Sequence, residues 1–155
     1  MPRKHQVETA FGAITIKNLK QLEILNVNLL PVKYPSKFYT EVTDVYHRTS
    51  TFVVGAVCAR VEDANAEKNT NKRLYIMTLG VLSPYRGHGI GTKLLNFLIE
   101  ALSSTDVKQI YLHVQVNNTE AIEFYKRHGF EIVGTETDYY KKITPADSHI
   151  LQKTL

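Results

Sequence analysis

Three glycines within five residues, Gly87, Gly89 and Gly91, stand before apolar residues at helical spacing: Leu94, Leu95, Leu98, Ile99 and Leu102. Such a loop lets successive backbone N–H groups face one ligand, and the positive end of the helix dipole behind it favours an anion. The chemistry it suits is cradling a pyrophosphate. Two better-known phosphate loops fail on spacing. A Walker loop needs Gly-Lys-Ser/Thr, whereas Gly91 is followed by Thr92 and then Lys93; the dinucleotide fingerprint needs two residues between its second and third glycines, where only Ile90 stands. The alternative is a glycine-rich structural turn. Against it, Arg86 leads into the glycines, the loop joins a strand to an apolar helix, and Asn118 opens a second helix after the next strand.

A second pair of residues could move protons. In a strand over 73–81, period-2 alternation puts Tyr75, Met77 and Leu79 on one face; in a strand over 109–116 it puts Tyr111, His113 and Gln115 on one face. If the two strands are neighbours, Tyr75 and His113 converge. The alternative is a core histidine beside a packing tyrosine. His5, His47, His128 and His149 have no partner pattern, and at His88 the main-chain N–H matters more than the ring. Cys58 beside Val57 reads as an apolar filler, not a nucleophile.

The elements that must hold these residues follow from periodicity and punctuation. Residues 6–11 read as a short edge strand before Gly12. Ile16, Leu19, Leu22 and Leu25 recur at near-helical spacing over 15–28, ended by the extended 30–35 segment with Pro31 and Pro35. A short helix follows over 37–46. Residues 51–61 and 73–81 read as an antiparallel hairpin with a long polar tip, and the residues from about Gly91 as a helix. Residues 109–116 form a third strand, and Asn117-Asn118-Thr119-Glu120 starts a helix with Ala121, Ile122 and Tyr125 inward, stopped by Gly129. Residues 130–133 and 138–143 are strand-like with a turn at Gly134 between them, and 148–155 is a last strand. This order makes a mixed α/β domain on a largely antiparallel sheet.

Composition bounds the rest. The 155 residues, 43% apolar and 22% charged, suit a single globular domain over 1–155 and exclude a disordered chain. One cysteine excludes an internal disulfide and a paired-ligand zinc site and argues for a reducing compartment. No apolar run approaches the roughly 20 residues that span a bilayer, and no apolar leader follows Met1, so the expectation is a soluble, cytoplasmic protein with no membrane partner. The net charge of +4 is scattered as singles and doublets such as Lys72-Arg73 and Lys141-Lys142, which fits a mildly basic surface or a small polyanionic ligand rather than nucleic acid.

With both motifs in place, the sequence resembles the GNAT superfamily of N-acetyltransferases. Arg86-x-x-Gly89-x-Gly91 after Leu79-Gly80-Val81 is similar to that superfamily's acetyl-CoA pyrophosphate loop, and Asn118, Ala121 and Phe124-Tyr125-x-x-x-Gly129-Phe130 to its next helix. Within it, the chain resembles most the NatE-type ("San") catalytic subunits of N-terminal acetyltransferases. The residues that carry this are Tyr75-Ile76-Met77-Thr78-Leu79-Gly80, Ile110-Tyr111-Leu112-His113-Val114-Gln115 and Tyr139-Tyr140-Lys141-Lys142-Ile143, and the likeness covers nearly the whole chain. The main departures are the amino-terminal residues and Leu30, which stands where that subtype carries an aromatic residue.

The resemblance implies a GNAT fold, an α/β mixed sheet, largely antiparallel and twisted, of about seven strands with about four helices on its faces. It implies acetyl-CoA as cosubstrate and no metal. The coenzyme would be held by Leu79, Val81, Arg86, Gly87, His88, Gly89, Ile90, Gly91, Thr92, Asn118 and Tyr125. Tyr75 and His113 would together hold a water that removes the amine proton, the Leu79 N–H would take the thioester oxygen, and Tyr125 would lie near the coenzyme sulfur. Leu30, Pro31, Val32 and Tyr34 would form one wall of a peptide channel, and Tyr139, Tyr140 and Ile143 the other, with an apolar pocket near Met77 for an initiator methionine. Partners would be peptide or nascent-chain N-termini and the ribosome-associated NatA complex through its large auxiliary subunit, in the cytoplasm and also the nucleus.

The expected activity is acetylation of α-amines, preferring Met followed by an apolar residue, with protein lysine as a side substrate. An α-amine has a pKa of about 7.7 to 8.0 against about 10.4 for lysine, so roughly 300-fold more of it is neutral at pH 7, worth about 3.4 kcal/mol. Two rivals remain: a small-amine acetyltransferase of the same fold, which would be expected to show an acidic acceptor pocket, and a CoA-binding scaffold subunit without turnover, against which Tyr75 and His113 speak.

Overall fold

A computed structural model describes residues 8–41, 53–63 and 72–155. The elements are α1 (Leu19–Leu29), α2 (Ser36–Glu41), β1 (Gly55–Asp63), β2 (Lys72–Val81), a single 3₁₀ turn (Ser83–Tyr85), α3 (Ile90–Ala101), β3 (Val107–Gln115), α4 (Thr119–Arg127), β4 (Glu131–Glu136) and β5 (Ser148–Thr154). The strands form one mixed sheet in the order β1-β2-β3-β5-β4, so the described residues hold five strands rather than about seven. No helix among the described residues is long and apolar enough to cross a membrane.

The central pairing is parallel. β2 and β3, joined through α3, pair from Lys72 opposite Val107 to Tyr75 opposite Tyr111, with a shift after Lys72. β3 then runs antiparallel to β5 along its length, His113 opposite Ile150 and Gln115 opposite Ser148. Burial alternates as the pleat requires: Leu74, Ile76 and Thr78 on β2 and Ile110, Leu112 and Val114 on β3 are buried, whereas Tyr75, Met77, Leu79, Tyr111, His113 and Gln115 are half-buried. The candidate proton-handling residues thus lie on the face opposite the core.

The chain divides into two compact units, Met1–Cys58 with Thr78–Glu100 and Ala59–Met77 with Ala101–Leu155. In the first, Val81, Ile90 and Leu94 form a buried cluster with Val54, Val57 and Tyr85 against it. In the second, Tyr125 and Phe130 meet edge to face at 5.3 Å, and Ile110, Phe130 and Leu151 are fully enclosed.

Local chemistry corrects several expected boundaries. α1 begins at Leu19, not Thr15, because Asn18 builds a turn first: its Oδ1 accepts from the Thr15 N–H at 2.7 Å and its Nδ2 donates to the Ala13 carbonyl at 3.1 Å. Ile16 is consequently 85% exposed, while Leu22 and Leu25 carry the inward face. Of the expected strand over 6–11, residues 8–11 are irregular and the rest lie outside the described residues. The helix expected over 37–46 is α2, Ser36–Glu41, with its remainder outside the described residues, as are Thr51 and Phe52 of the first long strand.

Gly134 is no turn. It lies inside β4, next to a register shift between Ile132 and Gly134, and marks a bulge in the strand. The stretch 138–143 is not a strand either. Asp138 has φ 54° and takes an Asp147 carboxylate oxygen on its N–H at 3.0 Å, the Lys141 ammonium donates to the Asp138 carbonyl at 2.7 Å, and the Tyr140 N–H donates to the Ala146 carbonyl at 2.8 Å. These bonds close the segment on itself and occupy groups that a ladder would need.

α4 is bounded as its sequence indicated. Asn118 Oδ1 accepts from the Ala121 N–H at 3.2 Å. At the other end the Gly129 N–H donates to the Lys126 carbonyl and the Phe130 N–H to that of Tyr125, with Gly129 at φ 81°. Removing the cap by Asn118→Ala should cost about 1 kcal/mol, read as a lower denaturation midpoint with unchanged m-value; an unchanged midpoint would show that this cap contributes nothing.

Candidate functional site

The face of β2 and β3 opposite the core gathers an aromatic group inside the second unit. The Tyr75 and Tyr111 rings stack at 4.9 Å between centroids, and His113 lies edge-on to Tyr75 at 5.8 Å. The closed segment after β4 brings Tyr139 onto this face: its ring stacks on His113 at 4.2 Å and 7°, its hydroxyl shares a hydrogen bond with that of Tyr75 at 3.2 Å, and Tyr140 stands edge-on to it at 4.9 Å. Tyr75, His113, Tyr139 and Tyr140 are therefore brought together.

The electrostatics favour a neutral base. His113 Nε2 lies 3.3 Å from Glu136 Oε2, while its Nδ1 is buried and has no hydrogen-bond partner among the described residues. An imidazole that donates from Nε2 to a carboxylate keeps the Nδ1 lone pair for accepting a proton. Burial lowers the pKa of His113 below 6.5, and the neighbouring Glu136 carboxylate only partly opposes it, so the ring is neutral at physiological pH. Such a group can take a proton from a water or an amine.

Beside it lies a charged network that flanks Tyr75. Glu62 accepts from the Tyr111 hydroxyl and from Arg60 Nε at 2.7 Å, and Arg73 lies 3.8 Å away. Burial alone would raise the Glu62 carboxyl, but the Tyr111 and Arg60 hydrogen bonds and the two guanidinium charges hold it below its ordinary value. Burial and the bond to Glu62 push the Tyr111 hydroxyl up to about 12. Arg60 lies over the Tyr75 ring at 5.3 Å and Arg73 over the Tyr111 ring at 4.3 Å.

The glycine loop lies in the first unit. After the 3₁₀ turn, Gly87 and Gly89 both take φ 74°, and a Cβ built on either would meet nothing within 4 Å. The loop thus presents open space above a backbone that only glycine adopts without strain. Arg86 Nε donates to the Val81 carbonyl at 3.0 Å, and His88 Nδ1 to the Arg86 carbonyl at 2.9 Å, so both side chains brace the loop. α3 starts at Ile90, Gly91 and Thr92 lie in its first turn, and the Lys93 N–H reaches back to the Gly89 carbonyl at 2.9 Å.

Other expected residues fall as follows. Tyr125 is buried in α4, and burial pushes its hydroxyl well up, so it is a neutral donor. Leu30 ends α1 in extended conformation and Pro31 and Val32 are exposed; Tyr34 packs on Phe38 at 4.5 Å. Ile143 is half-buried in the segment that carries Tyr139 and Tyr140. The four wall residues 30, 31, 32 and 34 belong to the first unit, and Met77, Tyr139, Tyr140 and Ile143 to the second. His128 donates to the Phe124 carbonyl and His149 pairs with Thr135, while burial raises the Cys58 thiol.

The sequence pattern of the acetyltransferase (GNAT) family matches residues 29–130. This chain belongs to that family. It is 47% identical over 150 residues to N-alpha-acetyltransferase 50 of Danio rerio, covering 93% of this chain and 87% of the relative. It is 48% identical over 150 residues to the probable N-acetyltransferase san of Drosophila melanogaster, covering 93% and 79%. Among solved structures, Arabidopsis thaliana Naa50 in complex with the bisubstrate analogue CoA-Ac-MVNAL superposes with a TM-score of 0.78 at 41% identity over 93% of this chain and 97% of that one.

In this GNAT acetyltransferase, sequence reasoning missed Glu136, Glu62, Arg60 and Arg73. Glu136 reaches His113 from two strands away across β5, a neighbourhood fixed only once β4 pairs with β5. Glu62 read as the start of a polar turn, whereas β1 runs on to Asp63 and carries it to Tyr111. The one available signal was Tyr111, which alternation already placed on the face of His113.

Proposed function

We propose that this chain is an N-alpha-acetyltransferase that transfers the acetyl group of acetyl-CoA to the free α-amine of protein N-termini and prefers Met followed by an apolar residue. The observation that carries the reading is the His113 imidazole set among the Tyr75 and Tyr139 rings, its Nδ1 without a hydrogen-bond partner among the described residues. When bound, acetyl-CoA supplies an activated acyl carbon whose bond to sulfur breaks as the bond to the amine nitrogen forms.

The chain's own groups do the rest. The open glycine cradle fits a pyrophosphate, with the α3 first-turn N–H groups and the braced Arg86 around it. By resemblance, Asn118 and Val81 would each contact the coenzyme, and the Leu79 N–H would take the thioester oxygen. Tyr75 and His113 orient a water, and His113 Nδ1 receives the amine proton through it. Tyr125, its hydroxyl kept protonated by burial, would lie near the coenzyme sulfur. Tyr139, Tyr140 and Ile143 make a wall of the peptide channel in this reading, with Met77 at the methionine pocket, and Leu30, Pro31, Val32 and Tyr34 are assigned to substrate binding by the resemblance alone. By resemblance to the NatE type, the protein works in the cytoplasm and nucleus, with the large NatA auxiliary subunit as partner and lysine as a side substrate.

Initial rates across a panel of amino termini test the specificity. Met-Leu should be preferred over Asp or Glu at the first position, because an unpaired carboxylate would lose its water in an apolar pocket. Proline at the second position should fail for want of an N–H and a free φ. Tyr34→Ala should raise KM for Met-Leu peptides more than it changes kcat. Equal rates on Met-Leu, Glu-Leu and spermidine would overturn the peptide channel in favour of a small-amine acceptor.

A further inference from the structure

We infer that Glu136 is a positioning residue for the acyl transfer: its carboxylate holds the His113 ring in the form protonated on Nε2 and so aims the Nδ1 lone pair at the proton to be removed. The inference rests on the reading of His113 as the base. Its own support is geometric. Glu136 Oε2 lies 3.3 Å from Nε2, the opposite ring nitrogen is buried without a partner among the described residues, and Tyr139 stacked at 4.2 Å fixes the ring plane. A neutral imidazole has two tautomers, and a carboxylate acceptor on one nitrogen selects the form with the proton there. Glu136 is held in turn by strand pairing: it lies opposite Ser148 on β5, whose Ile150 lies opposite His113.

The titratable and charged groups around His113 are Glu136 from β4, Tyr139 from the segment after it, Tyr75 and Arg73 from β2, Tyr111 from β3 and Glu62 from β1. Glu136 and Glu62 favour the protonated ring, and Arg73 disfavours it. Removing the Glu136 charge therefore makes His113 harder to protonate, and the acid limb of kcat/KM, corrected for the neutral fraction of the peptide α-amine, moves to lower pH. Because the Glu136 side chain is 52% exposed, that displacement is less than about one pH unit, and removing the acceptor altogether lowers kcat a few-fold to about tenfold.

The test compares wild type, Glu136→Gln and Glu136→Ala by histidine ring ¹⁵N NMR and by pH profiles with acetyl-CoA and a Met-Leu peptide. Glu136→Gln, whose amide oxygen still accepts from Nε2–H, should keep the Nε2-protonated tautomer and most of kcat while its acid limb moves down. Glu136→Ala should lose the single tautomer and a few-fold to about tenfold of kcat. A Glu136→Ala protein with the wild-type tautomer, acid limb and kcat would overturn the assignment. The tautomer needs no turnover to be read, so an inactive wild type would refute the proposed function while the NMR arm still decides this one.

Discussion

Turnover with a Met-Leu peptide should fall roughly 10- to 1000-fold in His113→Ala, and by a similar order in Tyr75→Phe, the range of lost general-base assistance. Coenzyme affinity should hardly change, since both residues lie on the β2–β3 face and the glycine loop is braced by its own contacts, Arg86 to Val81 and His88 to Arg86. The pH profile adds a sign. Burial lowers the pKa of His113 below its ordinary value, so the base is in its active neutral form at and above neutral pH, and wild-type kcat/KM, once corrected for the fraction of peptide α-amine that is neutral, should fall only below the ordinary histidine range. In His113→Ala that acid limb should vanish with the rate. Tyr75→Phe also removes the hydroxyl shared with Tyr139, so its crystal structure or melting curve must show that the Tyr139 ring still covers His113. Full turnover in either variant at neutral pH would reduce that residue to a packing group.

Gly89→Val should abolish acetyl-CoA binding in calorimetric titration at concentrations that saturate the wild type. Two effects act together at this position. Gly89 has φ 74°, where a β-branched residue is strained, so the loop would move. A Cβ there meets no protein atom within 4 Å, so any part of the loop that stays in place would fill the space left for the ligand rather than clash with the fold. Gly89→Ala should give an intermediate loss. The same open surroundings mean the variant should remain folded, which a thermal melt would verify. Wild-type coenzyme affinity in a folded Gly89→Val protein would refute the cradle.

The parts of the molecule legible in the sequence are those fixed by local rules. Alternation placed Tyr75, Met77, Leu79, Tyr111, His113 and Gln115 on one kind of face, and the half-burial of all six agrees. Asn118 and Gly129 bounded α4 because capping and left-handed termination are short-range chemistry. What local rules could not supply was the segment 138–143. Its Tyr-Tyr pair looks like a strand, yet Asp147 and Ala146 capture its backbone from several residues away, and that capture is what carries Tyr139 onto His113. The Glu136 contact is hidden for a similar reason. It depends on β4 pairing with β5 and β5 with β3, neither of which follows from the spacing of any one segment.

The atom that receives the acetyl group is the most direct test of the account. A peptide beginning Met-Leu and carrying an internal lysine, incubated with the protein and acetyl-CoA and then fragmented in a mass spectrometer, should carry acetyl on its α-nitrogen well before any appears on the lysine side chain. The α-acetyl product should drop to background with His113→Ala. Acetyl found on the lysine first, or no α-acetylation above the rate of peptide and acetyl-CoA alone, would contradict an N-terminal acetyltransferase.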